Sequence, residues 1–274
     1  MPQPLLTFEQ IYYTYPGAKK SALNGIRLHI PQGKRCALIG KNGCGKTTLF
    51  SLANGLYRPQ KGVVSWQDET IQYDRKSLMK LRQKVGLVFQ DPEQQLVAST
   101  VEEDISYGLC NLGLAKTEIE QRVAQALVEF ELTELAERPV HHLSLGQKKR
   151  VSLADVMVLR PELLLLDEPT AYLDRPQSRN LMALLKKIHD SGTTIVMASH
   201  DLDLVYCWAD WVFVMDEGRL ILEGTPQDVF LQRDILESLQ LGLPLIYEIL
   251  INEGLVTEGQ SLESFRQKIL NIFC

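Results

Sequence analysis

Cysteine is scarce and dispersed. Cys36, Cys44, Cys110, Cys207 and Cys274 include no C-x-x-C pair. That excludes a disulfide framework and suits free thiols in a reducing cytosol. No apolar run approaches the ~20 residues that a bilayer-spanning helix needs. Met1-Pro2-Gln3-Pro4 has neither the positive start nor the apolar core of a secretory signal. Any membrane role is therefore expected to come through a partner. Positive charge is also in short supply, with 29 Lys and Arg against 34 Asp and Glu and a pI near 5.6. A uniform nucleic-acid binder would want a basic face, so that class starts weak. Internal repeats and low-complexity tracts are missing too. The remainder is ordinary globular material: 274 residues, 45% hydrophobic and 23% charged, enough for one large or two modest domains.

Within that composition one stretch stands out, Gly40-Lys41-Asn42-Gly43-Cys44-Gly45-Lys46-Thr47. It has the G-x-x-x-x-G-K-[ST] spacing of a phosphate-binding loop. Arg35 to Ile39 before it reads as a short buried strand, and Thr48 to Ala53 after it as a helix stopping near Asn54-Gly55. Glycines let the backbone curl so that its N–H groups face phosphate oxygens, and a helix N-terminus adds favourable dipole charge. Lys46 would lie on the β- and γ-phosphates, and the Thr47 hydroxyl would reach Mg²⁺. The bland alternative is a glycine-rich turn before an ordinary helix. The strand–loop–helix context argues for the phosphate reading.

Along the chain, Leu5 to Tyr15 and Ala22 to Ile30 alternate like an antiparallel pair turning at Pro16-Gly17. Tyr12, Tyr13 and Tyr15 crowd its end, where either adenine stacking or sheet packing would explain them. Strands are expected at Lys61 to Trp66 and Val85 to Phe89, with a short helix at Ser77 to Arg82 between them. From Pro92 to about Leu159 the pattern turns helical. Thr100-Val101-Glu102-Glu103 and Thr117-Glu118-Ile119-Glu120 both read as capping boxes, T-x-x-E. Leu163 to Leu166 is an apolar run closed by Asp167, followed by a helix from about Pro176 to His189. Thr193 to Ala198 is a β-branched strand, and Val212 to Leu222 a hairpin around Asp216-Glu217-Gly218. Pro226 opens further helix. Strand–helix alternation with apolar strands implies an α/β fold with a mainly parallel, covered sheet.

A phosphate loop needs a carboxylate on a neighbouring strand. Asp167 ends such a strand and would hold Mg²⁺ through water, while Glu168 beside it could polarise a water for attack on the γ-phosphate. The competing reading is two surface carboxylates at a strand end. His200 ends another strand, where an imidazole could meet the γ-phosphate or could cap the next helix. Gln90 also ends a strand and could reach Mg²⁺ or water, although a strand-end glutamine by itself means little. Ser144-Leu145-Gly146-Gln147 is a third capping box, S-x-x-Q, which explains a helix start but not Gly146. A glycine beside Ser and Gln at a helix N-terminus is also how a second phosphate contact is built. His141-His142 tempts a metal reading, yet adjacent residues diverge and no third ligand is near in sequence.

Together and in this order, these pieces resemble the ATP-binding-cassette (ABC) ATPases. Gly40 to Thr47 is similar to the Walker A loop, and Leu163 to Asp167 to the Walker B strand with Glu168 as the base. Leu143 to Gln147 looks like the signature, Gln90 the Q-loop, Ala171-Tyr172-Leu173-Asp174 the D-loop and His200 the switch histidine. Tyr15 falls where the family has its adenine-stacking aromatic. The resemblance implies a P-loop cassette with a mainly parallel core sheet, an antiparallel β subdomain and a helical insert. It implies catalytic Glu168, His200 and Gln90. It implies ATP contacts from Tyr15, Gly40, Asn42, Gly43, Cys44, Gly45, Lys46, Thr47, Thr48, Ser144, Gly146, Gln147 and Asp167, with Mg²⁺ on Thr47, Gln90 and Asp167. Two departures stand out: Leu145 where glycine is usual, and Tyr172 where a small residue is common.

Phe89 to Leu96, Thr100 to Ile105 and Leu145 to Val151 look more narrowly like the ATPases of energy-coupling-factor importers. Arg58-Pro59-Gln60-Lys61-Gly62 and Gly242-Leu243-Pro244-Leu245 resemble the cobalt/nickel branch. The expectation is a cassette over 1–225, its helical subdomain over about 92–160, and a helical extension over 226–274. The resemblance implies a homodimer, or pairing with a second ABC ATPase, whose two ATP sites are shared head to tail. It also implies a transmembrane coupling subunit and a metal-binding membrane subunit, no nucleic acid, and a peripheral place on the cytoplasmic face of the inner membrane. The competing expectations are a vitamin importer's ATPase and a non-transport ABC ATPase. The latter class carries a long coiled coil or two cassettes per chain, and this chain has neither.

Overall fold

The structure is a computed structural model that describes residues 4–245 together with Tyr247 and Glu248. It divides into two compact units, one from residues 1–73 and 194–274, the other from 74–193. In chain order the first unit begins with β1 (Pro4–Tyr13), β2 (Leu23–Pro31), β3 (Arg35–Ile39), α1 (Lys46–Ala53), β4 (Lys61–Trp66) and β5 (Glu69–Thr70). The second holds α2 (Arg75–Lys84), β6 (Val85–Val88), α3 (Val101–Asn111), α4 (Lys116–Glu129), α5 (Leu145–Met157), β7 (Leu163–Asp167) and α6 (Arg175–Asp190). The first resumes with β8 (Thr194–Ala198), α7 (Leu202–Trp208), β9 (Trp211–Asp216), β10 (Arg219–Gly224), α8 (Pro226–Phe230) and α9 (Arg233–Ser238).

In the first unit, β1 pairs antiparallel with β2 and β4, and β4 with β5. β1 bulges at Gln10, whose φ is 53°. Gly62 is required opposite this bulge, because a Cβ there would lie 2.4 Å from the Gln10 carbonyl oxygen. β3 runs parallel to both β8 and β9, and β10 returns antiparallel along β9. Being covered on both faces, β3 buries Cys36, Ala37, Leu38 and Ile39. Arg35 at its foot grips Asp210 with Nη2–Oδ1 at 2.8 Å and Nε–Oδ2 at 3.1 Å, the bidentate form that holds geometry best.

In the second unit, β6 pairs parallel with β7. All of Leu163 to Asp167 is buried, and each such leucine contributes ~1.5–3 kcal/mol relative to exposure. The capping boxes at Thr100 and Ser144 form as expected, with both reciprocal bonds in each. The box at Thr117 does not. α4 starts at Lys116 with Ala115 as an extended N-cap that makes no side-chain bond. Thr117 is already helical, whereas a capping residue must be extended. Glu120 instead lies 3.7 Å from Lys116, a surface i,i+4 pair. The extension expected over 226–274 contains α8 and α9; beyond Glu248, Cys274 included, it lies outside the described residues.

Candidate functional site

The first unit carries the phosphate loop. Gly40 has φ of 152°, and a Cβ there would sit 2.2 Å from the Met215 carbonyl oxygen. Only glycine lets the loop leave β3 this close to β9. The Cys44 amide donates to the Lys41 carbonyl at 3.1 Å, and the Gly218 amide donates to the Cys44 carbonyl at 3.0 Å, so the loop is pinned from both sides. Gly45 caps α1 in the left-handed region and no side chain bonds the helix N-terminus. That terminus suits an anion. Lys46 is buried, its Nζ donating to the Gly40 carbonyl at 2.7 Å and to the Lys41 carbonyl at 3.3 Å. The ammonium is thus folded back over the loop that phosphates would enter. Burial pushes the Cys44 thiol up, keeping it neutral beside that anion site. Asn42, Gly43 and Thr47 are exposed, while Thr48 is buried.

Tyr15 reaches this helix, its hydroxyl 2.9 Å from Thr48 Oγ1. It packs edge-on against Tyr13 and Tyr57, at 5.2 and 5.7 Å between ring centroids. Tyr13 stacks on Tyr57 and is buried, so its place is in the sheet; Tyr15 keeps an exposed face. Tyr57 was not expected here, since nothing in its local sequence marks it. His200 is exposed just past β8, and Asp201, not His200, caps α7 with Oδ1 3.0 Å from the Leu204 amide.

The second unit carries the acidic and signature residues. β7 ends in Asp167 and Glu168, both buried. Glu168 has φ of 46°, left-handed backbone that costs a non-glycine residue ~1–3 kcal/mol. Such strain persists where surrounding contacts over-determine it. Here Lys149 Nζ donates to the Glu168 and Pro169 carbonyls, a residue that sequence reasoning missed. Gln90 is exposed just after β6. Beyond it, Gln95 accepts from the Phe89 amide at 3.4 Å and donates to the Ser152 carbonyl at 2.7 Å. Lys148 pairs with Glu93. Ser144 and Gln147 complete their capping box at the exposed start of α5. A Cβ on Gly146 would meet the end of the exposed Gln177 side chain of α6 at 3.1 Å. Leu145 and Tyr172 are both exposed, Tyr172 at 82% and with φ of 64°.

The model of the ABC transporter family matches residues 23–171. A Nostoc sp. protein is 79% identical over 274 residues, all of both chains, and its name goes no further than ABC transporter ATP-binding protein. The energy-coupling factor transporter ATP-binding protein EcfA of Methanocaldococcus jannaschii is 43% identical over 242 residues, covering 88% of this chain and 86% of its own. Among solved structures, cbiO1 from Clostridium perfringens, part of the ABC transporter complex cbiONQ, is 42% identical with a TM-score of 0.76, over 90% of this chain and 99% of its own. A dimeric ATP-binding cassette in a post-hydrolysis state with ADP and Pi is 26% identical with a TM-score of 0.73, over 81% of this chain and 98% of its own.

Proposed function

The chain belongs to the ABC transporter family, and from that premise we propose that it is the ATP-hydrolysing subunit of an energy-coupling-factor importer for cobalt or nickel. That it is an ABC-type ATPase follows from the family. The likeness to cbiO1 of the cbiONQ transporter complex carries the narrower reading, and the likeness to EcfA supports it. Arg58 to Gly62 and Gly242 to Leu245 point the same way.

The roles follow from the chemistry. Lys46 and the amides of Asn42 to Thr48 would hold the phosphates of ATP, and Tyr15 would stack on adenine. Thr47, Gln90 and Asp167 offer the hard oxygens that Mg²⁺ prefers. When bound there, Mg²⁺ would offset the negative charge of the phosphate oxygens. Glu168 would take a proton from the attacking water and His200 would contact the γ-phosphate. Ser144, Gly146 and Gln147 would meet the ATP of a second cassette, a copy of this chain or a related ATPase. The pair would work peripherally on the cytoplasmic face of the inner membrane. There a transmembrane coupling subunit would receive the force and a metal-binding membrane subunit would select the cargo.

The test is reconstitution of the chain in liposomes with the membrane subunits of a cobalt/nickel energy-coupling-factor importer, reading uptake of radiolabelled Co²⁺ and Ni²⁺. Mg²⁺–ATP-dependent uptake of either ion, lost in Glu168→Gln, is expected. ATP-dependent uptake of a vitamin with neither ion carried would overturn the metal reading.

A further inference from the structure

We propose that Lys149 is a positioning residue for the catalytic carboxylate, its ammonium holding the backbone from which the Glu168 side chain projects. The idea rests on the ATPase reading with Glu168 as base.

Three observations carry it. First, Lys149 is only 5% exposed, although a lysine is normally left in water. Burying an ammonium is costly unless strong acceptors replace water. Second, the acceptors are the two successive carbonyls at the end of β7: Pro169 O at 2.8 Å and Glu168 O at 3.3 Å. Charge-assisted bonds to two adjacent carbonyls fix a peptide plane more firmly than one neutral bond would. Third, the residue so held, Glu168, has left-handed backbone at φ 46°. Relaxing that φ would swing the carboxylate away from its present direction; the Ala171 amide donates to the Glu168 carbonyl at 3.1 Å, and the buried ammonium reinforces that local turn from α5.

Burial pulls the Lys149 ammonium down to about 8, and the Glu168 and Asp91 carboxylates pull against that fall. The side chain is therefore mainly charged near neutrality. Its place on α5 adds a consequence. Lys149 follows Ser144 and Gly146 by about one helical turn, and both lie on the same rigid element. The helix that presents the signature residues also sets the base.

A double-mutant cycle tests this, with steady-state turnover, KM and nucleotide affinity read for each folded variant. Lys149→Met keeps the length and removes the donors. In the wild-type background kcat should fall ~10–100-fold while KM and ATP affinity stay within ~2-fold. In the Glu168→Gln background the same substitution should change the residual turnover by less than ~2-fold, because the base it positions is already gone. Lys149→Arg, which retains charge and donors, should recover kcat to within ~5-fold of wild type. If Lys149→Met does not fold, Lys149→Gln replaces it in the cycle. Equal losses in both backgrounds, or wild-type kcat in Lys149→Met, would overturn the positioning role. A folded wild-type chain without Mg²⁺–ATP turnover would instead remove the ATPase reading beneath it.

Discussion

The Tyr15 hydroxyl lies 2.9 Å from Thr48 Oγ1, tying an aromatic beside the β1–β2 turn to the first turn of the helix that follows the phosphate loop. The tyrosine ring is thereby anchored at its polar end, with Tyr57 and Tyr13 packed at its sides.

If that anchored ring carries the base, Tyr15→Ala should weaken ATP binding by ~5–100-fold, the range for losing one base–aromatic stack. Tyr15→Phe should lose far less, since the π-face stays. Titration with a fluorescent ATP analogue reads both. Equal losses for Phe and Ala would mean that the hydroxyl bond to Thr48 matters and the stack does not.

Glu168→Gln keeps the shape and removes the base. ATP should still bind, turnover should fall by ~10²–10⁴, and an ATP-bound dimer should accumulate on sedimentation. Near-normal turnover would take Glu168 out of that role.

The shared-site expectation separates Lys46 from Ser144. Lys46→Ala should abolish nucleotide binding. Ser144→Arg should leave monomer binding intact and block ATP-driven dimerisation, because the guanidinium would occupy the exposed start of α5. Strictly monomeric Glu168→Gln protein at saturating ATP would count against shared sites.

Gln95 ties the strand end before Gln90 to α5, and Glu93 pairs with Lys148 of the same helix. Substituting Gln95 or Glu93 by Ala should reduce reconstituted transport by a larger factor than basal ATP turnover. Equal reductions in both assays would make the segment catalytic.

Burial, with the Asp104 carboxylate adding to it, raises Asp155 to about 7 against the opposing hydrogen bond from Gln95. An unfolded Asp titrates near ~3.9. Between those values the native state binds the extra proton, so stability falls as pH rises through the window. Asp155→Asn should flatten that fall, raising the melting temperature more at about pH 8 than at about pH 5. Parallel melting curves for the two proteins across this range would refute the shift.

Much of this was legible from short stretches. The strand–loop–helix around Gly40 to Thr47, the buried run Leu163 to Asp167 and the boxes at Thr100 and Ser144 are encoded within a few residues. Caps, apolar runs and glycine turns act over one or two turns of chain, so local sequence is enough to specify them. The box at Thr117 failed for the same kind of reason: the helix had already begun at Lys116, and a T-x-x-E spacing does not say whether its threonine is extended. Tertiary structure alone decided the contacts across long loops. It brought Lys149 to the carbonyls of Glu168 and Pro169, Gln177 against Gly146, Tyr57 beside Tyr15 and Gln95 beside Asp155. Each depends on where whole strands and helices pack. No local periodicity records which buried ammonium will meet which strand end.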